Sequence, residues 1–289
     1  MIINLSVNKQ ADIERFIRFM NHPQYPGKRT VILKSYPEII DALKEGSDEN
    51  IAIQNIIDNL YIRKEQQITD ILNILNNELE KTKKFIESIG EIMEYDISSK
   101  KYESILTFLP FSPIKDNVFY FSIYPLIFRK QDGTPLRSVS IACTAIHEIS
   151  HFIFFDQLKE WEHKTGKTLD YPVEHYFKES LTASIMDQEK FKNFFDYKSL
   201  LGSKNYRGNK ELHSFFIKTE KTDINIVSFF KEVMFNNGKK YKENLHYLLN
   251  IFCQNQSKFI EKWQLWNDWL SNENLQDKII KEYSKPISL

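Results

Sequence analysis

The chain holds only two cysteines, Cys143 and Cys253, among 289 residues. That is too few for a disulfide framework, so the cytoplasm is the expected setting, with secretion that needs no cleaved signal as the other route. No run of about 18 apolar residues occurs, so no membrane-spanning helix is expected. The opening stretch Met1–Asn8 lacks a charged start followed by a long apolar centre, and it reads as a strand and not as a signal peptide. Neither sign of charge is in excess: Lys+Arg and Asp+Glu both total 39. Without a basic excess or a basic face, nucleic acid is not an expected partner. Low-complexity linkers and internal repeats are also lacking. What remains, at 42% hydrophobic and 27% charged, is an ordinary globular composition, and nothing in it sets the oligomeric state.

The periodicities divide the chain. Met1–Val7 and Thr30–Ser35 are short, apolar and β-branched, and both read as strands. From Ile68 to Met93 apolar residues recur at three- and four-residue steps, which predicts a long amphipathic helix closing near Gly90 to Tyr95. Lys81, Lys83 and Lys84 then form a solvated face of that helix. Asn117–Phe128 alternates like a strand, and Gln131–Pro135 is a turn. The next helix is expected from about Pro135, with Thr134 as its cap, to Asp156. A further helix is expected from Asp170–Pro172 to about Lys190. Helical patterns then cover Glu211–Lys218, Ile224–Asn236, Tyr241–Cys253, Lys258–Leu270 and Asn274–Tyr283.

The helix after the turn carries His147-Glu148-Ile149-Ser150-His151. Residues four apart on a helix share a face, so both imidazoles can close on one metal ion at about 2 Å each. Glu148 lies about 100° further round, where it can reach a water on that metal but not complete the usual ligand set. Zinc lowers the pKa of such a water, and the carboxylate takes its proton. The flanking helix is strongly apolar, so three polar side chains there need a partner that offsets their desolvation. The plainer alternative is a core helix whose polar residues find ordinary hydrogen bonds.

A third ligand is required, and Glu174, His175 and Glu179 on the following helix are available. Here the segment Asn117–Asp187 resembles the gluzincins, the thermolysin-like zinc peptidases. The resemblance implies a zincin-like core in which a glutamate from a second helix completes the metal site. Glu179, which opens Glu179-Ser180-Leu181-Thr182-Ala183, matches that position best, with Glu174 or His175 as alternatives. The resemblance also implies that the preceding strand edges the substrate cleft. One departure stands out: the acidic residue that often follows the third ligand by four positions is here Ala183, and the next acid is Asp187.

Weaker signals surround these. Tyr206, Arg207, His213 and His246 are candidates for stabilising an oxyanion, Tyr206 first. Cys143 precedes His147 by one turn and reads more readily as an apolar filler than as a thiolate ligand. A deformylase-type hydrolase would instead place its cysteine ligand in a separate upstream motif. Trp263, Trp266 and Trp269 suit core packing better than a substrate wall.

The fold expected is α+β and predominantly α-helical. Residues 1–200 would form a catalytic subdomain with a small sheet, and 201–289 a helical C-terminal subdomain, with the cleft between. The function expected is a zinc metallopeptidase acting on a peptide or protein. His147, His151 and Glu179 would hold Zn2+, and Glu148 would be the general base. The alternative is a non-catalytic helical binding module.

Overall fold

The computed structural model describes residues 1–289, apart from the side chains of Pro26, Leu201 and Glu273. It is 63% helical with a small mixed sheet, so the fold is α+β and predominantly α-helical. Two compact units emerge, one of Met1–Ile86 with Ser98–Ala145, the other of Glu87–Ile97 with Ile146–Leu289. This division differs from the boundary expected after residue 200. Among the described residues, no helix is long and apolar enough to cross a membrane.

In the first unit the elements run β1 (Ile2–Val7), α1 (Lys9–Met20), α2 (Pro26–Ser35), α3 (Pro37–Lys44), α4 (Glu49–Arg63) and α5 (Glu65–Ile92, its end in the second unit). They continue with β2 (Lys101–Thr107), β3 (Ile114–Lys115), β4 (Val118–Ser122) and α6 (Tyr124–Ile127). The sheet order is β1-β2-β4-β3, parallel from β1 through β4, with β3 antiparallel at the end. Asn8 and Asp48 start α1 and α4 by accepting backbone N–H groups of the first turn, a standard way to satisfy orphan donors.

Three expectations fail in this unit. Thr30–Ser35 lies in α2 and not in a strand. Ile32, Tyr36 and Ile39 are fully buried at helical spacing, and α2 packs on α1 and α3, so tertiary packing overrides β-branched propensity. The strand expected over Asn117–Phe128 ends at Ser122, because Pro125 opens the short helix α6. Nor is β4 an edge. It pairs with β2 on one side and β3 on the other, and beyond β3 Tyr120 N–H donates to the Pro113 carbonyl at 2.8 Å. No peptide can add to it there.

The helix carrying the histidines, α7 (Ile141–Thr165), begins six residues later than expected and ends nine later. Thr134 does not cap it. Its hydroxyl donates to Asp132 at 2.6 Å inside a turn through Gly133, whose φ of 80° suits glycine. Ser140 is the cap, accepting the Cys143 N–H at 3.2 Å. Ser140 in turn donates to the Glu78 carboxylate, which also accepts the Ala142 N–H at 3.2 Å. A carboxylate at a helix N-terminus is favoured by the dipole.

The second unit continues with α8 (Tyr171–Met186), α9 (Glu189–Lys192), α10 (Tyr197–Leu201) and α11 (Lys210–His213). Then come β5 (Phe216–Lys218), β6 (Asp223–Asn225), α12 (Ile226–Phe235), α13 (Tyr241–Gln254), α14 (Gln256–Ser271), α15 (Gln276–Tyr283) and β7 (Ile287–Ser288). The expected helix to Lys190 thus breaks after Met186, and 211–218 is half helix, half strand. The C-terminal part is not wholly helical, since β6-β5-β7 forms a three-stranded sheet. α8 is the hub: every residue from His175 to Met186 is buried, and it packs against α11, α12, α13 and α14. Phe177 lies within ring contact of Phe154, Phe230 and Phe252. Trp263 packs on His175 and Tyr176, and Trp266 stacks on Trp269, so the tryptophans serve the core.

Candidate metal centre

The site lies within the second unit and is built from α7, α8 and the loop 202–209. His147 and His151 sit one turn apart on α7 with their Nε2 atoms 3.0 Å from each other. Glu179 on α8 faces both: its Oε2 is 3.5 Å from His147 Nε2 and its Oε1 3.3 Å from His151 Nε2. Glu148, buried beside them, keeps a carboxylate oxygen within 4.8 Å of a ring nitrogen of each histidine.

The far sides of the rings are braced. Ser150 Oγ donates to the His147 carbonyl at 2.6 Å, which uses its single hydrogen. The 2.5 Å contact between Ser150 and Thr182 must therefore be donated by Thr182. With its own hydrogen spent, Thr182 accepts from His151 Nδ1–H at 3.1 Å. This chain fixes the His151 tautomer and leaves its Nε2 lone pair facing His147 and Glu179. On the other ring, His147 Nδ1 is 2.7 Å from the Tyr206 hydroxyl. Tyr206 reaches it because the loop lies tight on α8: a Cβ at Gly208 would come within 3.0 Å of the Ala183 side chain.

Lys178, also buried, donates to Glu179 Oε1 at 2.5 Å. Glu179 Oε2 is buried and accepts no hydrogen bond, since the 3.5 Å to His147 is too long for one. Electrostatics follow from this crowding. Burial opposes ionisation of Glu179, but Lys178 and the two histidines outweigh it and hold the carboxyl well below its usual range. Burial pushes Glu148 up to about 7 against the pull of His147. Burial also works against a charged His147, yet Glu148 and Glu179 raise it overall. His151 falls to about 3, from burial first and the Lys178 charge second.

The sequence candidates divide clearly. His147, Glu148, His151 and Glu179 come together. His175 instead bonds Glu211 at 2.8 Å. Glu174 is only partly buried and faces the charges of Lys178 and Glu162. Tyr206 meets His147 at Nδ1, on the ring edge opposite the Nε2 that faces Glu179, and there it braces the ring. Arg207 and His213 are exposed, and His246 lies near Lys164 and Glu160. Asp187 pairs with Lys192 and Lys231 and braces nothing in the site. Cys143 is a poor thiolate: burial and the charge of Glu78 push it up to about 12. Lys178 and Thr182 are the members that sequence reasoning missed. Thr182, one turn after Glu179, stands close to the position where an acidic brace was sought.

Compared with protein-family models, curated proteins and solved structures, the chain matches none.

Proposed function

We propose that this chain is a zinc-dependent peptidase with His147, His151 and Glu179 as metal ligands. One observation carries the reading: the two Nε2 atoms stand 3.0 Å apart, and each faces one oxygen of the Glu179 carboxylate, His147 at 3.5 Å from Oε2 and His151 at 3.3 Å from Oε1. Ligand atoms at 2.0–2.1 Å from a tetrahedral ion are separated by about 3.3–3.4 Å, so these donors fit one zinc with little movement. The orphaned Oε2 of Glu179 and the bare Nε2 of His151 supply lone pairs for it.

Zinc bound there supplies a Lewis acid that polarises a carbonyl and brings the pKa of a water toward 7. The chain's residues do the rest. Thr182 and Tyr206 orient the imidazoles. Glu148 is buried beside the two histidines and is not needed as a ligand, which frees it to handle a proton. It can take that proton from the attacking water and return it to the departing amine. The substrate class is a peptide or protein, and two free cysteines suit a cytoplasmic setting.

A second reading has one observation in its favour. Lys178 already gives Glu179 a cation, so the cluster can hold together as a buried polar network in a non-catalytic binding module. Elemental analysis separates the two. One zinc per chain in the wild type, lost in His147→Ala and in Glu179→Ala, is the expected result. No zinc in the wild type after metal addition overturns the peptidase.

A further inference from the structure

The most unusual group in the site is Lys178, a lysine with 7% exposure one residue from a proposed metal ligand. Buried lysines need a partner that repays their lost hydration. Elsewhere in the same unit Lys262 shows the ordinary solution: its ammonium donates to the carbonyls of Glu282, Tyr283 and Lys285 and ties down the end of α15. Lys178 instead spends a strong hydrogen bond on a carboxylate that two histidines also face. It takes one oxygen only. Oε1 receives the ammonium and lies 3.3 Å from His151 Nε2, while Oε2 is buried, accepts nothing and lies 3.5 Å from His147 Nε2.

We propose that Lys178 makes Glu179 a one-oxygen metal ligand, by occupying Oε1 and leaving Oε2 to the ion. The inference rests on the metal site proposed above and deepens it. A carboxylate free at both oxygens can chelate, which fills two positions on the metal. A carboxylate pinned at one oxygen fills a single position. With two imidazoles, that leaves the fourth corner of a tetrahedron open, as a hydrolytic zinc requires. Lys178 and Glu179 are neighbours on one buried helix, so the ammonium cannot withdraw without disturbing α8. It touches the ligand and not the reacting atoms, which makes it a positioning residue.

Cobalt substitution tests this, because Co2+ absorbs strongly in the visible when tetrahedral and weakly as its coordination number rises. The wild-type protein loaded with Co2+ should give the intense four-coordinate spectrum, and Lys178→Arg should retain it. Lys178→Met frees Oε1, and its visible bands should weaken severalfold as Glu179 chelates. A weak, higher-coordinate spectrum in the wild type would overturn the proposal whether or not the variants fold. So would a Lys178→Met spectrum identical to the wild type. Failure of the wild type to take up Co2+ at all would instead remove the metal site itself, and the inference with it.

Discussion

Asp12 in the first unit and Glu179 in the second are both deeply buried carboxylates, and the two are treated in opposite ways. In the first unit Asp12 on α1 has no exposed surface, and both of its oxygens accept hydrogen bonds. Thr107 donates to Oδ1, while the Phe108 N–H at 2.9 Å and the Tyr61 hydroxyl at 3.1 Å donate to Oδ2. All three donors are neutral. In the second unit Glu179 has a cation on one oxygen, nothing bonded to the other, and two imidazoles turned toward it. A carboxylate saturated by neutral donors ties α1, α4 and β2 together. A carboxylate left with a spare lone pair beside two nitrogens is arranged to hold something.

That contrast can be broken or sharpened, beginning with the largest effect. Glu148→Gln should lower peptide cleavage by about 10²–10⁴-fold while zinc content stays at the wild-type level, measured by mass spectrometry of a peptide mixture. Full activity in that variant would remove Glu148 as the base.

Asp12→Ala strands three buried donors, so it should cost about 3 kcal/mol or more in urea unfolding. The paired change Lys178→Met with Glu179→Leu should cost far less, about 1 kcal/mol or under, because a buried ion pair exchanged for apolar groups is often neutral. Equal costs would erase the distinction between the two carboxylates.

Asp12 also sets a pH dependence. Burial raises it to about 6 from 3.8, despite the hydrogen bonds from Thr107, Phe108 and Tyr61, so between those values the folded chain binds the extra proton. Its contribution is full below pH 3.8 and is lost as pH rises through 6. The difference in unfolding free energy between wild type and Asp12→Asn should therefore shift by about 3 kcal/mol from pH 4 to 7, at roughly 1.4 kcal/mol per unit. A flat difference across that range would contradict it.

Smaller still are the braces. Thr182→Val should weaken zinc binding about 10–100-fold in chelator competition, and Tyr206→Phe by about tenfold or less. Unchanged affinity in both would mean that the rings need no support.

Much of the site could be read from one chain because it depends on local spacing. His147 and His151 meet through helical geometry alone, and Glu179 was matched through the resemblance to the gluzincins, with Glu174 and His175 as its alternatives. The braces were hidden for a physical reason. Thr182 acts through a hydroxyl whose partner is chosen by the packing of α8 against Ser150, and Tyr206 arrives from 59 residues away on a loop that depends on Gly208. Lys178 carries no signal of its own in the sequence, since only the burial of α8 from His175 to Met186 encloses it. In the fold, long periodic segments such as α5 and α13 were plain. Thr30–Ser35 was misleading, since its β-branched residues are governed by neighbouring helices. The β6-β5-β7 sheet escaped notice because strands of two or three residues leave no repeat to detect, and the longer β2 is buried continuously from Ser104 to Thr107, which breaks its alternation.

The capping of α7 bears on how far the centre could be transplanted. A fragment starting at the boundary residue Ile146 would open its helix one position before His147. The first four N–H groups would then lack acceptors, and that turn would fray. Ser140 and Glu78 satisfy this need at the start of α7 in the intact chain. The smallest portable version of the centre is therefore larger than the compact unit that contains it, and must bring along the start of α7 and the carboxylate that seats it.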